Sequence, residues 1–225
     1  MSTKRETEEW ERLLSAQMVF QSHFPECVLV GGTAAVLHVG HRTSIDADHV
    51  HPGLKERFAE ILQKVEQEAG WRTRKLEPPV LILGNFQGVR TGIRQLIRSK
   101  PLETMKVRGL KVPTPDEVLR IKGVLIVKRN ATRDFIDFVA LFDHLGTQRA
   151  LQALSPLDSF YPQEEQSVSQ QLALQLADPK PWDLLQTDLN SYKNLKAPYN
   201  DWNEIKRRAL AVSQKMMVEL MVSGA

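Results

Sequence analysis

Two aspartates two residues apart, Asp46 and Asp48, are the side chains whose types and spacing point most directly to chemistry. Alternate residues of an extended strand face the same side, so the pattern predicts both carboxylates on one face and Ile45 and Ala47 on the other. Neighbouring carboxylates repel each other unless a cation or a base shares the site. Because Mg2+ takes oxygen ligands, often one or two carboxylates together with substrate phosphates, the pair indicates a metal site.

A glycine turn precedes these aspartates. The apolar run 28–30 is typical of a buried strand, and Gly31 and Gly32 close it. Thr33 is then the predicted N-cap of a short helix over residues 34–39. The two glycines would let backbone N–H groups approach a triphosphate, and the helix would direct the positive end of its dipole to the same place. The sequence therefore predicts a phosphate cradle beside the metal ligands.

Two other interpretations of this segment stay open. In the plainer one, Asp46 and Asp48 lie on a solvated strand end and the glycines only form a turn. The other starts from His41, His49 and His51, because imidazole and carboxylate ligands together suit manganese, iron or zinc. The spacing of these histidines matches no helical metal-binding motif.

The segment 28–50, VLVGGTAAVLHVGHRTSIDADHV, resembles the opening motifs of the nucleotidyltransferase superfamily with the DNA polymerase β-like fold. It is especially similar to the AbiE-type toxin group. That group shows GG[ST]-x-x-L and HR-x-S-x-D-x-D, then a helix with Lys and Arg and a helix with (R)D-F-x-D. The resemblance implies an α+β fold, in which a small mixed β-sheet nucleotidyltransferase core is flanked by helices and followed by a helical C-terminal extension.

The first of the two later helices is predicted over Pro115 to Arg129. Thr-Pro-Asp-Glu opens it, with Thr as N-cap and Pro at the first helical position. Lys122 and Arg129 are seven residues apart and therefore lie on one face. In the family this face is directed at the nucleotide, and Lys122 is the residue that matches the family lysine.

The second of these helices, predicted over residues 133–145, carries the string RDFIDF. It resembles the final motif of the family, in which an aspartate acts as a base or positions the attacking hydroxyl. Asp134 and Asp137 are the two candidates, and spacing alone does not choose between them. A helix ion pair between Arg133 and Asp137, at positions i and i+4, is the structural alternative.

Apolar periodicity predicts the elements that must position these residues. Helices are predicted over residues 6–24, 54–69, 115–129, 133–145 and 201–221. Strands are predicted over residues 28–30, 45–50, 80–83, 88–98 and 107–112, the last interrupted by Gly109. Residues 155–162 are predicted to form a linker. We expect a nucleotidyltransferase-like core with an N-terminal helix over residues 1–150, and a helical extension over residues 151–225.

The composition is that of a soluble globular protein, with 42% hydrophobic and 25% charged residues. The single cysteine, Cys27, excludes an internal disulfide and a cysteine-based zinc cluster, and it is expected to be buried. No apolar run approaches the ~20 residues that span a bilayer. The N-terminal segment is charged and lacks the apolar core of a signal peptide. We therefore expect a cytoplasmic protein with no membrane partner.

The net charge of +3 is too small to indicate nucleic-acid binding by itself. Basic residues nevertheless crowd the middle of the chain. They are Arg90, Arg94, Arg98, Lys100, Lys106, Arg108, Lys111, Arg120, Lys122, Lys128, Arg129 and Arg133. A phosphate-rich partner and a solvated basic face are both consistent with this segment.

One family feature is missing from the sequence. Polymerase β-like transferases normally complete the metal pair with a third carboxylate on a later strand. The corresponding segment here is 92–96, Gly-Ile-Arg-Gln-Leu, with Arg94 or Gln95 where an acid is expected. No Asp or Glu lies between Glu77 and Glu103. Two aspartates can still bind one Mg2+.

The resemblance implies Mg2+-dependent transfer of a nucleoside monophosphate from a nucleoside triphosphate to an RNA, tRNA or protein acceptor, with Mn2+ as a substitute ion. It also implies a toxin–antitoxin or phage-defence setting with an antitoxin protein as partner. The implied metal ligands are Asp46 and Asp48, the nucleotide-binding residues are Gly31, Gly32, Thr33, Ser44 and Arg129, and the catalytic residues are Lys122, Asp134 and Asp137.

Two hypotheses from other classes compete with this one. The first is a catalytically silent nucleotidyltransferase-fold module that binds nucleotide or protein, which the missing third acid favours. The second is a nucleic-acid-binding regulator that uses the basic middle segment, whose binding would depend strongly on salt and would survive Asp46→Ala.

Overall fold

The computed structural model describes residues 2–98 and 100–223, which divide into two compact units. The first unit comprises residues 1–37 and 43–114, and the second comprises residues 38–42 and 115–225. The chain thus changes unit between Thr114 and Pro115. The predicted division at residue 150 stays a prediction, and its outer ends, Met1 and residues 224–225, lie outside the described residues.

The first unit begins with α1 (Ser2–His23), β1 (Val28–Val30) and most of α2 (Gly31–Val39). It continues with β2 (Asp46–His51), α3 (Phe58–Gln67), β3 (Trp71–Glu77), β4 (Leu81–Phe86), β5 (Val89–Gln95), β6 (Thr104–Val107) and β7 (Leu110–Pro113). Five of these strands form one sheet in the order β1-β2-β5-β4-β3. The β2–β5 pair is parallel and the other pairs are antiparallel, so the sheet is mixed. The predicted α+β class with a small mixed sheet is confirmed.

Strand β2 has the alternation that the sequence predicts. Ala47, His49 and His51 are buried, whereas Asp46 and Asp48 are only half-buried and lie on the opposite face. The two carboxylates therefore share one side of the sheet. The expectation for Ile45 is wrong, because this residue lies just before the strand and is 55% exposed.

One hydrophobic core holds the first unit together. Helix α1 supplies Leu14 and Phe20, and the sheet supplies Leu29, Ile82 and Ile93, all of which are buried. Burying a side chain of this size stabilises the fold by about 1.5–3 kcal/mol. Cys27 is completely buried as expected, and burial raises the pKa of its thiol to about 12.

Several element boundaries in this unit differ from the predictions. Helix α2 begins at Gly31, so Thr33 lies inside its first turn and is not an N-cap. Helix α3 begins at Phe58, after a series of turns. The strand predicted over residues 107–112 is instead the β6–β7 hairpin, in which Arg108 and Gly109 have positive φ and form the turn. Strand β3 was not predicted.

The second unit is helical. It contains α4 (Pro115–Arg129), α5 (Thr132–Leu145), α6 (Thr147–Leu154), α7 (Leu157–Phe160), α8 (Val168–Ala177) and α9 (Trp202–Ser223), with short 3-10 helices at Leu184–Gln186 and Leu189–Ser191. The predicted bounds of α4 are confirmed, and the helical C-terminal extension is confirmed. The predicted linker over residues 155–162 is wrong, because it contains α7, whose Leu157 is completely buried.

Helix α4 packs closely on α8 because it carries a glycine at the contact. A Cβ atom at Gly123 would lie 2.8 Å from Leu172 Cδ2 and 3.5 Å from Phe138 Cε2. Ser213 Oγ of α9 donates a 2.7 Å hydrogen bond to the carbonyl oxygen of Ala173 in α8. None of the described helices combines the length and the apolar character that a membrane crossing would require.

Candidate functional site

The aspartate pair of β2 faces two arginines of β5. Arg90 lies opposite Asp46 in the parallel pair and donates two hydrogen bonds to it, Nε to Oδ1 at 2.8 Å and Nη2 to Oδ2 at 2.7 Å. Arg94 Nε lies 3.4 Å from Oδ1 of Asp48. The repulsion between the two carboxylates is therefore offset by two guanidinium groups of the same sheet.

The carboxylate of Asp48 lies between two glycines. A Cβ atom at Gly31, the first residue of α2, would be 3.7 Å from Oδ2, and a Cβ atom at Gly92 would be 2.9 Å from Oδ1. Real Cβ atoms essentially never approach a neighbour that closely, so Gly92 gives the carboxylate its space. Asp48 thus faces the N-terminal end of α2, where the helix dipole favours anions.

Thr33 and Ser44 position the beginning of β2. Both side chains are buried, and the hydroxyl of Thr33 donates a 2.5 Å hydrogen bond to the carbonyl oxygen of Asp46. Ser44 Oγ lies 2.8 Å from Thr33 Oγ1 and 3.4 Å from the same carbonyl oxygen. These hydroxyls hold the main chain that carries the aspartates. Their nucleotide-binding role, like that of half-buried Gly31 and Gly32, stays a prediction.

The oxygen donors of this face could hold Mg2+ only together with ligands from a substrate. Asp46 and Asp48 offer hard carboxylate oxygens on a common side, but no group of three or more His, Cys, Asp or Glu suited to a metal occurs among the described residues. A magnesium ion would therefore need further oxygen ligands from its substrate, as is common for this ion.

The histidines of β2 lie on the opposite face of the strand from Asp46 and Asp48. His49 and His51 lie on the buried face of the strand, and burial lowers the pKa of His49 to about 4. His51 Nε2 is instead 2.9 Å from Glu26. The transition-metal interpretation of these residues is therefore wrong.

The second unit brings together the lysine and the aspartates of the two helical motifs. Nζ of Lys122 lies 3.0 Å from Asp134 Oδ1 and 2.7 Å from Asp137 Oδ2, and all three side chains are at most 1% exposed. Arg129 binds Asp134 with both Nε and Nη2, the latter 2.7 Å from Oδ1. The prediction that Lys122 and Arg129 share a face of α4 is confirmed by their common contact with Asp134.

Residues 38–42 bind the same cluster through Asp137. His41 Nε2 lies 2.7 Å from Oδ1 of Asp137, and Arg42 donates to both oxygens, at 2.8 Å from Nε and 3.0 Å from Nη2. Asp137 is completely buried among these groups while Arg133 is exposed, so the interpretation of RDFIDF as a surface ion pair between Arg133 and Asp137 is wrong. Asp137 is a buried anion with three basic partners.

The cluster keeps both aspartates ionised. Burial alone would raise the pKa of Asp137, but the charges of Arg42 and Lys122 and the hydrogen bonds from His41 and Arg42 outweigh it and hold this pKa well below its ordinary value. Burial acts in the same direction on Asp134, and Lys122 and Arg129 likewise lower its pKa. A carboxylate with a low pKa is a weak proton acceptor. The geometry therefore favours a positioning role for these aspartates, while their catalytic assignment stays a prediction.

Sequence reasoning did not connect Arg90 and Arg94 with the aspartates or Arg42 with Asp137, and it placed His41 beside Asp46 and Asp48 instead of beside Asp137. A usable signal existed for the arginines of β5, because Arg90, Gly92 and Arg94 alternate along a predicted strand. Their pairing with the aspartates needed the parallel β2–β5 register, which periodicity does not give. No local pattern connects residues 41 and 42 with Asp137, which lies 96 and 95 residues away.

At least six of the twelve basic residues in the middle segment have acidic partners. In addition to Arg90, Arg94, Lys122 and Arg129, Arg108 binds Glu11 and Arg120 binds Glu117. Arg120 Nη1 also donates to the carbonyl oxygen of Ala153 at 2.8 Å. These contacts reduce the number of arginines that a nucleic acid would meet, and nucleic-acid binding by this segment stays a prediction.

Comparison with known proteins identifies a family. The family model described as "Nucleotidyl transferase AbiEii toxin, Type IV TA system" matches residues 12–212. The fold is similar to the crystal structure of a putative nucleotidyltransferase from Helicobacter pylori, with a TM-score of 0.59, 15% identity and coverage of 96% of both chains. The crystal structure of JHP933 from Helicobacter pylori is also similar, with a TM-score of 0.57, 15% identity, and coverage of 96% of this chain and 93% of that one.

The chain also matches a much longer curated protein, the heme uptake protein MmpL11 of Mycobacterium tuberculosis, with 35% identity over 130 residues. The matched region is 54% of this chain and 13% of that protein, so the chain spans about an eighth of the length of this relative.

Proposed function

Because the chain belongs to the AbiEii nucleotidyl transferase toxin family, we propose that it transfers a nucleoside monophosphate from a nucleoside triphosphate to an acceptor, with Mg2+ or Mn2+ as cofactor. An RNA or tRNA end is the proposed acceptor, and a protein hydroxyl is the alternative. An antitoxin protein is the proposed partner, and the cytoplasm is the proposed compartment.

One observation carries the proposal: Asp46 and Asp48 lie on the same face of β2, and Asp48 faces the first residue of α2. Carboxylates beside a helix N-terminus place a cation site next to an anion site, which is what a metal-bound triphosphate requires. When bound, the ion would neutralise negative charge on the phosphates. Asp46 and Asp48 would hold it, and the backbone N–H groups of Gly31 and Gly32 would bind phosphate oxygens.

The proposed chemistry is an in-line displacement. An acceptor oxygen attacks the α-phosphorus, the bond between this phosphorus and the α,β-bridging oxygen breaks, and pyrophosphate leaves. The acceptor hydroxyl loses its proton to a base or to water. Such a reaction depends mainly on positioning and on charge stabilisation, so the protein needs no covalent intermediate.

The cluster of the second unit supports a rigid arrangement of basic groups. Lys122 and Arg42 are held by Asp134 and Asp137, whereas the side chain of Arg129 is 37% exposed and reaches solvent. We propose that Arg129 is the member of this cluster that binds phosphate. Lys122, Asp134 and Asp137 would then act by positioning Arg129 and Arg42.

The experiment combines purified protein, Mg2+ or Mn2+, bulk tRNA and each α-labelled nucleoside triphosphate in turn. Wild-type protein is expected to label the tRNA with one or a few of the nucleotides. The Asp46→Asn/Asp48→Asn variant is expected to lose at least ~100-fold in rate, since removal of preorganised charge commonly costs this much. Glu11→Gln/Glu77→Gln is the matched control, because it removes two exposed acids of the same unit that have basic partners.

A second candidate function rests on the arginines that pair with Asp46 and Asp48. These pairs leave no uncompensated carboxylate on the face and favour a catalytically silent module that binds nucleotide. Triphosphate binding that requires both aspartates, without label transfer to tRNA or to protein, would select this candidate.

A further inference from the structure

Arg90 and Arg94 contact the carboxylate oxygens of Asp46 and Asp48, the oxygens that a metal ion at this pair would need as ligands. Arg90 forms a bidentate contact with Asp46, and Arg94 approaches one oxygen of Asp48. The side chains of the arginines are 58% and 48% exposed, and those of the aspartates are 34% and 37% exposed. Ion pairs at this level of exposure are held weakly, because water competes for both partners. The guanidinium groups can therefore leave the carboxylates without disturbing the core.

The two arginines also have the right chemistry for a second partner. The planar guanidinium group matches phosphate as well as carboxylate, and it binds either through two parallel hydrogen bonds. A triphosphate at the N-terminal end of α2 would lie beside Asp48, which Arg94 already approaches. Arginines released from the aspartates would thus find phosphate oxygens close by.

We propose that Arg90 and Arg94 are exchangeable counter-ions, which neutralise Asp46 and Asp48 until a divalent ion binds these aspartates and then bind the phosphates of the nucleoside triphosphate. This inference rests on the proposed function, since it concerns the same site. The divalent ion and the triphosphate should therefore each increase the affinity for the other. The ion releases the arginines from the aspartates, and the phosphates give the released arginines a new negative partner.

The arginines are not needed to hold the sheet together. The β2–β5 pair is joined by its main chain along six residue pairs, and the apolar residues Ala47 and Ile93 of these strands are buried on the core side. Arg90 and Arg94 lie on the exposed side. Replacing them should therefore leave the fold intact, so that binding can be measured on folded protein.

The proposal predicts two effects of opposite sign. In Arg90→Gln/Arg94→Gln, the divalent ion alone no longer competes with an internal cation, so its affinity should rise. The metal–triphosphate complex loses two phosphate ligands in the same variant, so its affinity should fall. A pair of arginines that only stabilises the sheet would produce neither effect.

The first measurement is the affinity for Mn2+ alone, from the electron paramagnetic resonance signal of the free ion. Arg90→Gln/Arg94→Gln is expected to bind Mn2+ about three- to tenfold more tightly than wild type, in line with the removal of weak competing ion pairs. Adding Asp46→Asn and Asp48→Asn to this variant should abolish the binding. Arg108→Gln is the matched control, because Arg108 forms an exposed bidentate pair with Glu11 in the same unit.

The second measurement is calorimetric titration with the complex of Mn2+ and inorganic tripolyphosphate, a probe that contains no base or sugar. Here the double arginine variant is expected to bind about ten- to a hundredfold more weakly than wild type and than Arg108→Gln. Thermal unfolding of each variant verifies that the protein is folded.

Unchanged or weaker Mn2+ binding by the double arginine variant would overturn the proposal, and so would unchanged affinity for the Mn2+–tripolyphosphate complex. Both measurements are independent of turnover. If the opposite shifts are found and no acceptor is labelled by wild-type protein, the counter-ion exchange stands and the transferase function fails.

Discussion

Nζ of Lys122 lies 2.7 Å from Oδ2 of Asp137, with one side chain 1% and the other 0% exposed. A charged pair removed from water in this way depends on every partner being present, because the remaining charge would be left without compensation. The pair connects α4 with α5, and His41 and Arg42 add three further contacts to the same carboxylate. Stability and the arrangement of basic groups in the second unit therefore depend on the same few atoms.

Replacing Lys122 by methionine should lower the free energy of unfolding by about 3–5 kcal/mol, because two buried carboxylates lose their shared cation. Urea unfolding measures this change. Lys128→Met, at an exposed position of the same helix, should change stability by less than about 0.5 kcal/mol. A Lys122→Met/Asp137→Asn variant should lose less than the sum of its single changes. An additive double variant would argue against a coupled cluster.

The stability of the protein should fall at acid pH because of the same carboxylates. The pKa of Asp137 and that of Asp134 are lower in the folded state than their ordinary value of about 3.9. A depressed folded pKa stabilises the fold fully above the unfolded pKa and loses this contribution as the pH falls towards the folded pKa. Thermal melts between pH 7 and 2.5 should therefore show the decline below about pH 4. If stability were instead lost as the pH rises from 5 to 7, the lowered pKa values of Asp134 and Asp137 would not be its cause.

Gly92→Ala should impair the aspartate face more than the fold. The added Cβ atom would lie 2.9 Å from Oδ1 of Asp48 and 2.7 Å from Cδ2 of Leu83, so both side chains must move. We expect label transfer to fall about tenfold or more, since small displacements of positioning groups are costly, with about 1–3 kcal/mol of destabilisation from overpacking. Gly53→Ala is the control, because its nearest neighbour would lie at 3.6 Å. Equal rates for the two variants would show that the position of Asp48 does not limit transfer.

Thr33→Val should destabilise the first unit by about 1–3 kcal/mol, because the carbonyl oxygen of Asp46 loses the hydrogen bond from the buried Thr33 hydroxyl. Thr33→Ser keeps the hydroxyl and should recover most of the loss. Thr104→Val is the control. Thr104 is exposed in β6, so this variant measures the effect of the same substitution at an exposed position. Chemical unfolding of the three variants provides the comparison. If Thr33→Ser is as unstable as Thr33→Val, packing of the methyl group and not the hydrogen bond would be responsible.

Much of the local structure could be predicted from the sequence. The predicted bounds of α4 were correct because Thr114, Pro115 and two acids give an unambiguous helix start. The shared face of Asp46 and Asp48 followed from the period of a strand alone. Strand β3 was missed since Trp71 is its one buried residue, and a mostly exposed edge strand has no alternating apolar pattern.

The partners of the charged residues could not be predicted in the same way. Asp137 was expected either to act on an acceptor or to pair with Arg133, whereas its partners are His41, Arg42 and Lys122. These contacts depend on which segments the tertiary structure brings together, and periodicity describes single elements only. Arg94 was noticed as a departure from the family, but its pairing with Asp48 became visible only with the parallel register of β2 and β5.

Strand β3 has a consequence for how copies of the chain behave in concentrated solution. It forms one edge of the five-stranded sheet, and a register shift between Thr73 and Lys75 interrupts its pairing with β4. Arg72, Arg74 and Lys75 are exposed along this edge. Positive charge and irregular spacing both oppose the addition of a strand from another molecule. The sheet is thereby protected against edge-to-edge aggregation along β3.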